Sequence, residues 1–225
     1  MKLAAALAAL IMAALVLPFV LPRAKAPTDQ RYLPWQVEVL EDGRSRVFGL
    51  TLPTSTLADA RRLHGGELTL GLMREAGGEL SLEAYQPSAQ LGFVTGKLIL
   101  TLAVSIDDLT AMASRAADSE ATRSGARRLS LATADVRSAE HLRIAGISFV
   151  PSVDLDRQMI VDRFGEPEQR IEQPGGLVHY LYPSRGLDLL IDDGGREVLQ
   201  YVAPADFTRL TTPLAVGNGR EPSAQ

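Results

Sequence analysis

The chain has 225 residues, 46% of them hydrophobic, 22% charged and 5% aromatic, with no cysteine and a formal charge of −4. That composition is globular, which excludes a disordered, collagen-like or multi-pass membrane protein; the lack of cysteine excludes disulfides, thiol nucleophiles, cysteine metal sites and a lipidated N-terminal cysteine. Lys2, Arg23 and Lys25 are the only charged side chains among the first 26 residues, which leaves 20 of the 23 basic residues against all 27 acidic ones, a net of −7 that does not suit a grip on nucleic-acid phosphates.

Leu3 to Pro22 is an uncharged run dominated by Ala and Leu. At about 1.5 Å per helical residue it is long enough to span roughly 30 Å of hydrocarbon, so it is expected to be a transmembrane helix or a secretion signal. Its length and Pro27 favour an uncleaved anchor. Ala24-Lys25-Ala26 has the small-x-small pattern of a cleavage site and keeps the alternative of a soluble periplasmic protein open. The expected location is therefore the inner membrane, single-pass, with the ectodomain in the periplasm. A linker, residues 27–34, follows.

Alternation then marks strands at Trp35/Val37/Val39, Leu68/Leu70/Leu72, Leu80/Leu82/Ala84 and Leu98/Leu100/Leu102. Thr56 and Asp59 form a capping box ahead of a helical stripe of Leu57, Ala60 and Leu63. Ile106, Leu109, Met112 and Ala113 predict a helix over 105–117; Arg128 to Leu131 predict a short strand, and Thr133 predicts a helix cap. Asp154 caps a helix carrying Leu155, Met159, Ile160 and Phe164, which Gly165 and Pro167 end. Strands follow at Val178/Tyr180/Tyr182 and Leu187/Leu189/Ile191. Asp42-Gly43, Gly77-Gly78, Gly175-Gly176 and Asp193-Gly194-Gly195 mark hairpins.

The order of events repeats. A short strand, a capped helix stopped by glycine, a Gly-Gly hairpin and a strand ending at proline occur from Gly49 to Pro87 and again from Gly146 to Pro183. The expected fold class is α+β: an N-terminal transmembrane helix followed by two fused modules, each a helix packed on a small antiparallel sheet. The expected division is 1–26 signal-anchor or signal peptide, 27–34 linker, 35–104 first module, 105–145 structured helical linker, 146–210 second module and 211–225 disordered tail.

Val161-Asp162-Arg163-Phe164-Gly165-Glu166-Pro167, with the strand His179-Tyr180-Leu181-Tyr182-Pro183 after it, resembles the BamE-type module of outer-membrane β-barrel assembly, which is similar in plan to each half of the β-lactamase inhibitory proteins. The resemblance covers about residues 146–202, with a weaker echo from 49 to 104. It implies a helix against a small antiparallel sheet and a role in binding proteins.

Catalytic chemistry is sparse. The histidines are His64, His141 and His179, with no two at metal-ligand spacing, and neither H-E-x-x-H, G-x-S-x-G, S-x-x-K nor a P-loop occurs. His64 and His141 read as helix-end residues, and His179 as a strand residue sharing a face with Leu177 and Leu181. Asp154 and Asp156 read as helix-start acids, Asp192-Asp193 as part of a turn, and Arg61-Arg62 and Arg127-Arg128 as solvated pairs. The expectation is a protein without catalytic residues, metal or cofactor, whose ectodomain binds an envelope protein through Tyr180, Tyr182 and Tyr201. It contacts the membrane through residues 3–22 and binds no nucleic acid. A small-ligand or lipid-binding periplasmic module is the alternative, and an enzyme of unfamiliar type the third.

Overall fold

The computed structural model describes residues 30–65, 68–122, 125–155, 157–192 and 196–217. The expected membrane segment, residues 3–22, with the rest of 1–26 and the start of the linker, lies outside them. Among the described residues no helix is long and apolar enough to cross a membrane.

The body is mostly β, 42% strand to 25% helix. A three-stranded antiparallel sheet, β1 (Glu38–Val39), β2 (Ser45–Val47) and β3 (Leu50–Leu52), leads into helix α1 (Leu57–His64). The meander β4 (Thr69–Arg74), β5 (Leu80–Leu91) and β6 (Val94–Leu102) follows, then α2 (Ile106–Ser114), β7 (Ser119–Ala121), β8 (Arg127–Leu129) and α3 (Thr133–Ala139). The second half runs β9 (Ile144–Pro151), α4 (Arg157–Phe164), β10 (Gln169–Gln173), β11 (Leu177–Tyr182), β12 (Leu187–Asp192), β13 (Arg196–Tyr201) and α5 (Thr208–Gly217).

Two modules with a small sheet each is not the architecture. Strands β4–β13 form one ten-stranded sheet in the order β10-β11-β12-β13-β9-β6-β5-β4-β8-β7. β9 makes the join: Phe149 is opposite Leu199 of β13 on one side and Leu98 of β6 on the other. Alternation reveals that a strand has a buried face but not that both its edges are taken. Residues 105–145, expected as a helical linker, contribute β7 and β8, and β8 extends the sheet beyond β4. The expected disordered tail is helical through Gly217, and Leu214 is buried; residues 218–225 lie outside the described residues.

The local signals behave as their chemistry requires. The Asp59 N–H donates to Thr56 Oγ1 (3.3 Å) and the Thr56 N–H to Asp59 Oδ2 (2.9 Å), closing the capping box of α1. Ser105 caps α2 by accepting from the Asp108 N–H. Thr133 is the first residue of α3 rather than its cap, a place taken by Ala132. Gly165 after α4 has φ +79°, a conformation that side chains with a Cβ resist. β5 does not stop at proline as the alternation suggested: a bulge between Gln86 and Ala89 accommodates the exposed Pro87, whose missing N–H the ladder there does not need.

The inner face of the large sheet carries Leu72, Leu82, Leu98, Leu100, Ile147, Phe149, Leu189 and Leu199. Leu57 and Ala60 of α1, Leu109 and Met112 of α2, Ile160 and Phe164 of α4, and Val47, Leu50 and Leu52 of the small sheet complete one core. On the outer face, Phe207 and Leu214, the latter on α5, form a second cluster with Leu181 and Val202, with Leu210 and Ile171 packed against it. The outer face is thus covered over part of the second half, near β10, β11 and the end of β13.

Candidate functional site

Cross-strand register builds the uncovered part of the outer face. Ser148, Ile99, Tyr85 and Thr69 lie opposite one another across β9, β6, β5 and β4; Gly146, Thr101, Glu83 and Gly71 form the next row. Beside them Met73 of β4 is opposite Arg128 of β8. Except for Ser148, Gly146 and Thr101, these residues, with Lys97 and Thr122, line a groove of about 440 Å³.

Gly71 shapes its floor. A Cβ there would come within 3.2 Å of the Arg128 side chain, so the missing methyl lets the arginine arm lie flat across β4. Glu83 stands in the same row as Gly71. Burial pushes its carboxyl above the ordinary carboxylate range; a hydrogen bond from Ser81 Oγ (2.9 Å) opposes the shift, Glu75 adds to it and Arg128 opposes it. Tyr85, Ile99 and Met73 supply apolar surface. Lys97, exposed on β6, and Arg128 supply positive charge at its margins. The arrangement can hold an amphipathic segment that combines an apolar side chain with a carboxylate.

The tyrosines expected at a binding surface are elsewhere. Tyr180, Tyr182 and Tyr201 all belong to the inner-face core, only 4%, 1% and 1% exposed. Tyr182 Oη donates to the Gly165 carbonyl (2.9 Å), and burial pushes its phenol up to about 12. Tyr201 Oη donates to the Pro34 carbonyl (2.8 Å), its ring meets Phe48 edge-on at 5.2 Å, and burial holds its phenol well above the ordinary value. Strand-end position suggested a rim, but Pro34 and Phe48 cover Tyr201, and Phe164 and Gly165 at the end of α4 cover Tyr182. The residues now facing the groove, Tyr85, Lys97, Ile99 and Arg128, were legible only as alternating strand positions. Arg128 joins the other three only through the β8–β4 pairing.

The histidines separate into three environments. His64 turns back to the 44–50 hairpin, where its Nε2 is 2.9 Å from the Phe48 carbonyl and Tyr32 approaches its ring edge-on. Burial lowers its pKa and the hydrogen bond to Phe48 opposes this. It does not bond the helix-end carbonyls as the sequence suggested. His141 is exposed after α3. His179 shares its face with Leu181, as alternation predicts, and its Nδ1 meets both carboxylate oxygens of Asp188, at 3.0 and 2.8 Å. His179 is diagonal to Asp188 in the β11–β12 register, on the outer face where α5 packs, and both are buried. Asp188 interrupts the apolar run Leu187 to Ile191, the one sequence signal of its special position.

Among the described residues no group of three or more His, Asp or Glu side chains has metal-site geometry. Asp156 and the Asp193-Gly194-Gly195 turn lie outside them. Arg61 instead pairs with Glu140 at 2.9 Å, Arg62 pairs with Asp59, and Arg127 bonds Ser119 across the β7–β8 pair. No protein-family model matches the chain, and no curated protein or solved structure matches it.

Proposed function

We propose that this is a non-catalytic cell-envelope protein whose exported body binds another protein in the groove over β4, β5 and β6. The apolar run from Leu3 to Pro22 directs it to the membrane and export. The observation that carries the binding reading is the unequal outer face. One part is covered by the chain's own helix α5, while the other keeps Tyr85, Ile99 and Met73 in an open groove bordered by Lys97 and Arg128. The partner segment that fits is amphipathic, its apolar side chains on Tyr85 and Ile99 and its carboxylate toward Lys97 or Arg128.

A photo-crosslinking side chain placed at Thr69 in the full chain, in native membranes, should capture one defined protein. Lys97→Glu with Arg128→Glu should abolish that capture while the variant remains folded. Unchanged capture in the charge-reversed variant overturns the groove as the binding site. The groove volume also falls within the ~300–1,000 Å³ range of small-molecule sites, so a thermal shift with a lipid or metabolite, and no protein captured, would favour the ligand-binding alternative.

A further inference from the structure

We propose that the end of the body carrying Trp35, Phe93, Val153 and Met159 rests on a phospholipid bilayer. The proposal depends on the reading that residues 3–22 bring the chain to a membrane. Three segments distant in sequence converge there, the last contributing both Val153 and Met159. The rings of Trp35 and Phe93 are 5.8 Å apart. The Ser152 N–H donates to the Thr95 carbonyl (2.8 Å), so Val153 and Phe93 leave the same end of the β6–β9 pair. Met159 is one turn before Arg163 on α4, and the Arg163 guanidinium lies 4.9 Å from the centre of the Trp35 ring. Phe93, Val153 and Met159 are 47%, 57% and 40% exposed, although most of the large apolar side chains among the described residues are buried.

Chain connectivity supplies the occupant. Gln30 is eight residues beyond Pro22, and eight residues span at most about 29 Å when fully extended. The segment that enters the body there, Gln30 to Trp35, itself builds this end. Whatever surface holds Pro22 is therefore the nearest large surface to Trp35. The side chains suit a bilayer boundary: an indole with a cation on its ring and an exposed phenyl ring beside it. A cavity of about 510 Å³ opens beside the indole, lined by Tyr32, Trp35, Val37 and Phe48 together with the charged Arg31, Glu38 and Arg46. Asp154, directly after Val153, offsets the charge of Arg163, so the contact is driven by apolar burial rather than by attraction to anionic headgroups.

The single tryptophan makes the test direct, since tryptophan emission reports Trp35 alone. The full chain is reconstituted into phosphatidylethanolamine–phosphatidylglycerol vesicles, with or without lipids brominated near the carbonyl end of the acyl chains. An apolar face seated about 5–10 Å into the headgroup boundary brings the indole close to those bromines, and emission should fall about two-fold, at low and high salt alike. Phe93→Asp with Val153→Asp should remove most of the quenching, with the melting curve in detergent unchanged. Flotation of the same samples separates the two readings. Chains that float but show no bromine quenching overturn the contact and leave the membrane assignment standing. Chains that do not float refute both. Quenching that persists in the double variant also overturns the proposal, as does concentration-dependent shielding of Trp35 from iodide in lipid-free detergent, which would assign the face to a second copy.

Discussion

His179→Ala isolates the buried pair on β11 and β12. Asp188 is 0% exposed and its carboxylate spans His179 Nδ1 with both oxygens, so the substitution leaves a carboxyl group enclosed by protein without its partner. Removing one member of such a pair destabilises by about 3–5 kcal/mol, because the remaining group keeps its desolvation penalty and loses its compensation. For a body of this size about 2–4 °C of melting temperature corresponds to each kcal/mol, so a fall of about 6–20 °C is expected. The surroundings supply the control. Leu181, Val202 and Phe207 make the neighbouring outer-face cluster apolar, so the double variant His179→Leu with Asp188→Leu should recover most of the loss. Urea denaturation of the parent, His179→Leu, Asp188→Leu and the double variant gives the coupling energy directly. A single variant that loses under about 1 kcal/mol, with additive behaviour in the double, would refute the account of a buried, mutually dependent pair. A folded, fully stable His179→Ala protein that has lost its biological activity would show instead that the imidazole works in chemistry.

Other expectations test the core and its titration. Phe164 is buried between Trp35 and Tyr182, and Phe164→Ala should destabilise by about 3–5 kcal/mol in urea denaturation. Gly165→Val should lower the melting temperature although its Cβ would meet no atom within 4 Å, since φ +79° alone opposes a β-branched residue; a variant melting with the parent would place the helix end elsewhere. Tyr201→Phe strands the buried Pro34 carbonyl and should cost about 1–3 kcal/mol while leaving partner capture intact; lost capture at unchanged stability would restore Tyr201 to a binding role. Burial lowers the His64 pKa below the ordinary 6.5, so the unfolded chain binds more protons just below that pH. Stability from this group is fully present above 6.5 and is lost as pH falls toward the lowered value. Glu83, raised by burial, has the opposite sign at lower pH, its contribution fading as pH rises from 4.5 toward its raised value. His64→Gln should therefore flatten the fall in melting temperature below pH 6.5 relative to the parent; an identical pH profile would exclude His64 as its source.

Features set by a few neighbouring residues were legible in the sequence. The Thr56–Asp59 box, the stop at Gly165 and the hairpins at Gly43, Gly78 and Gly175 depend on local side-chain reach and backbone freedom. The alternation that put His179 with Leu181 and opposite Tyr180 depends only on the two-residue strand period. Tertiary structure alone decided which strand meets which. Nothing within β9 states that Phe149 will sit between Leu98 and Leu199, because a backbone edge offers the same donors and acceptors to any partner. Nor do Tyr182 and Tyr201 reveal whether their faces are open, since a tyrosine satisfied by the Gly165 or Pro34 carbonyl reads the same as one awaiting a partner. The groove has the same origin. Arg128 lies over Gly71 because two segments more than fifty residues apart pair as β8 and β4, and long-range pairing is chosen by the free energy of the whole core, not by either segment.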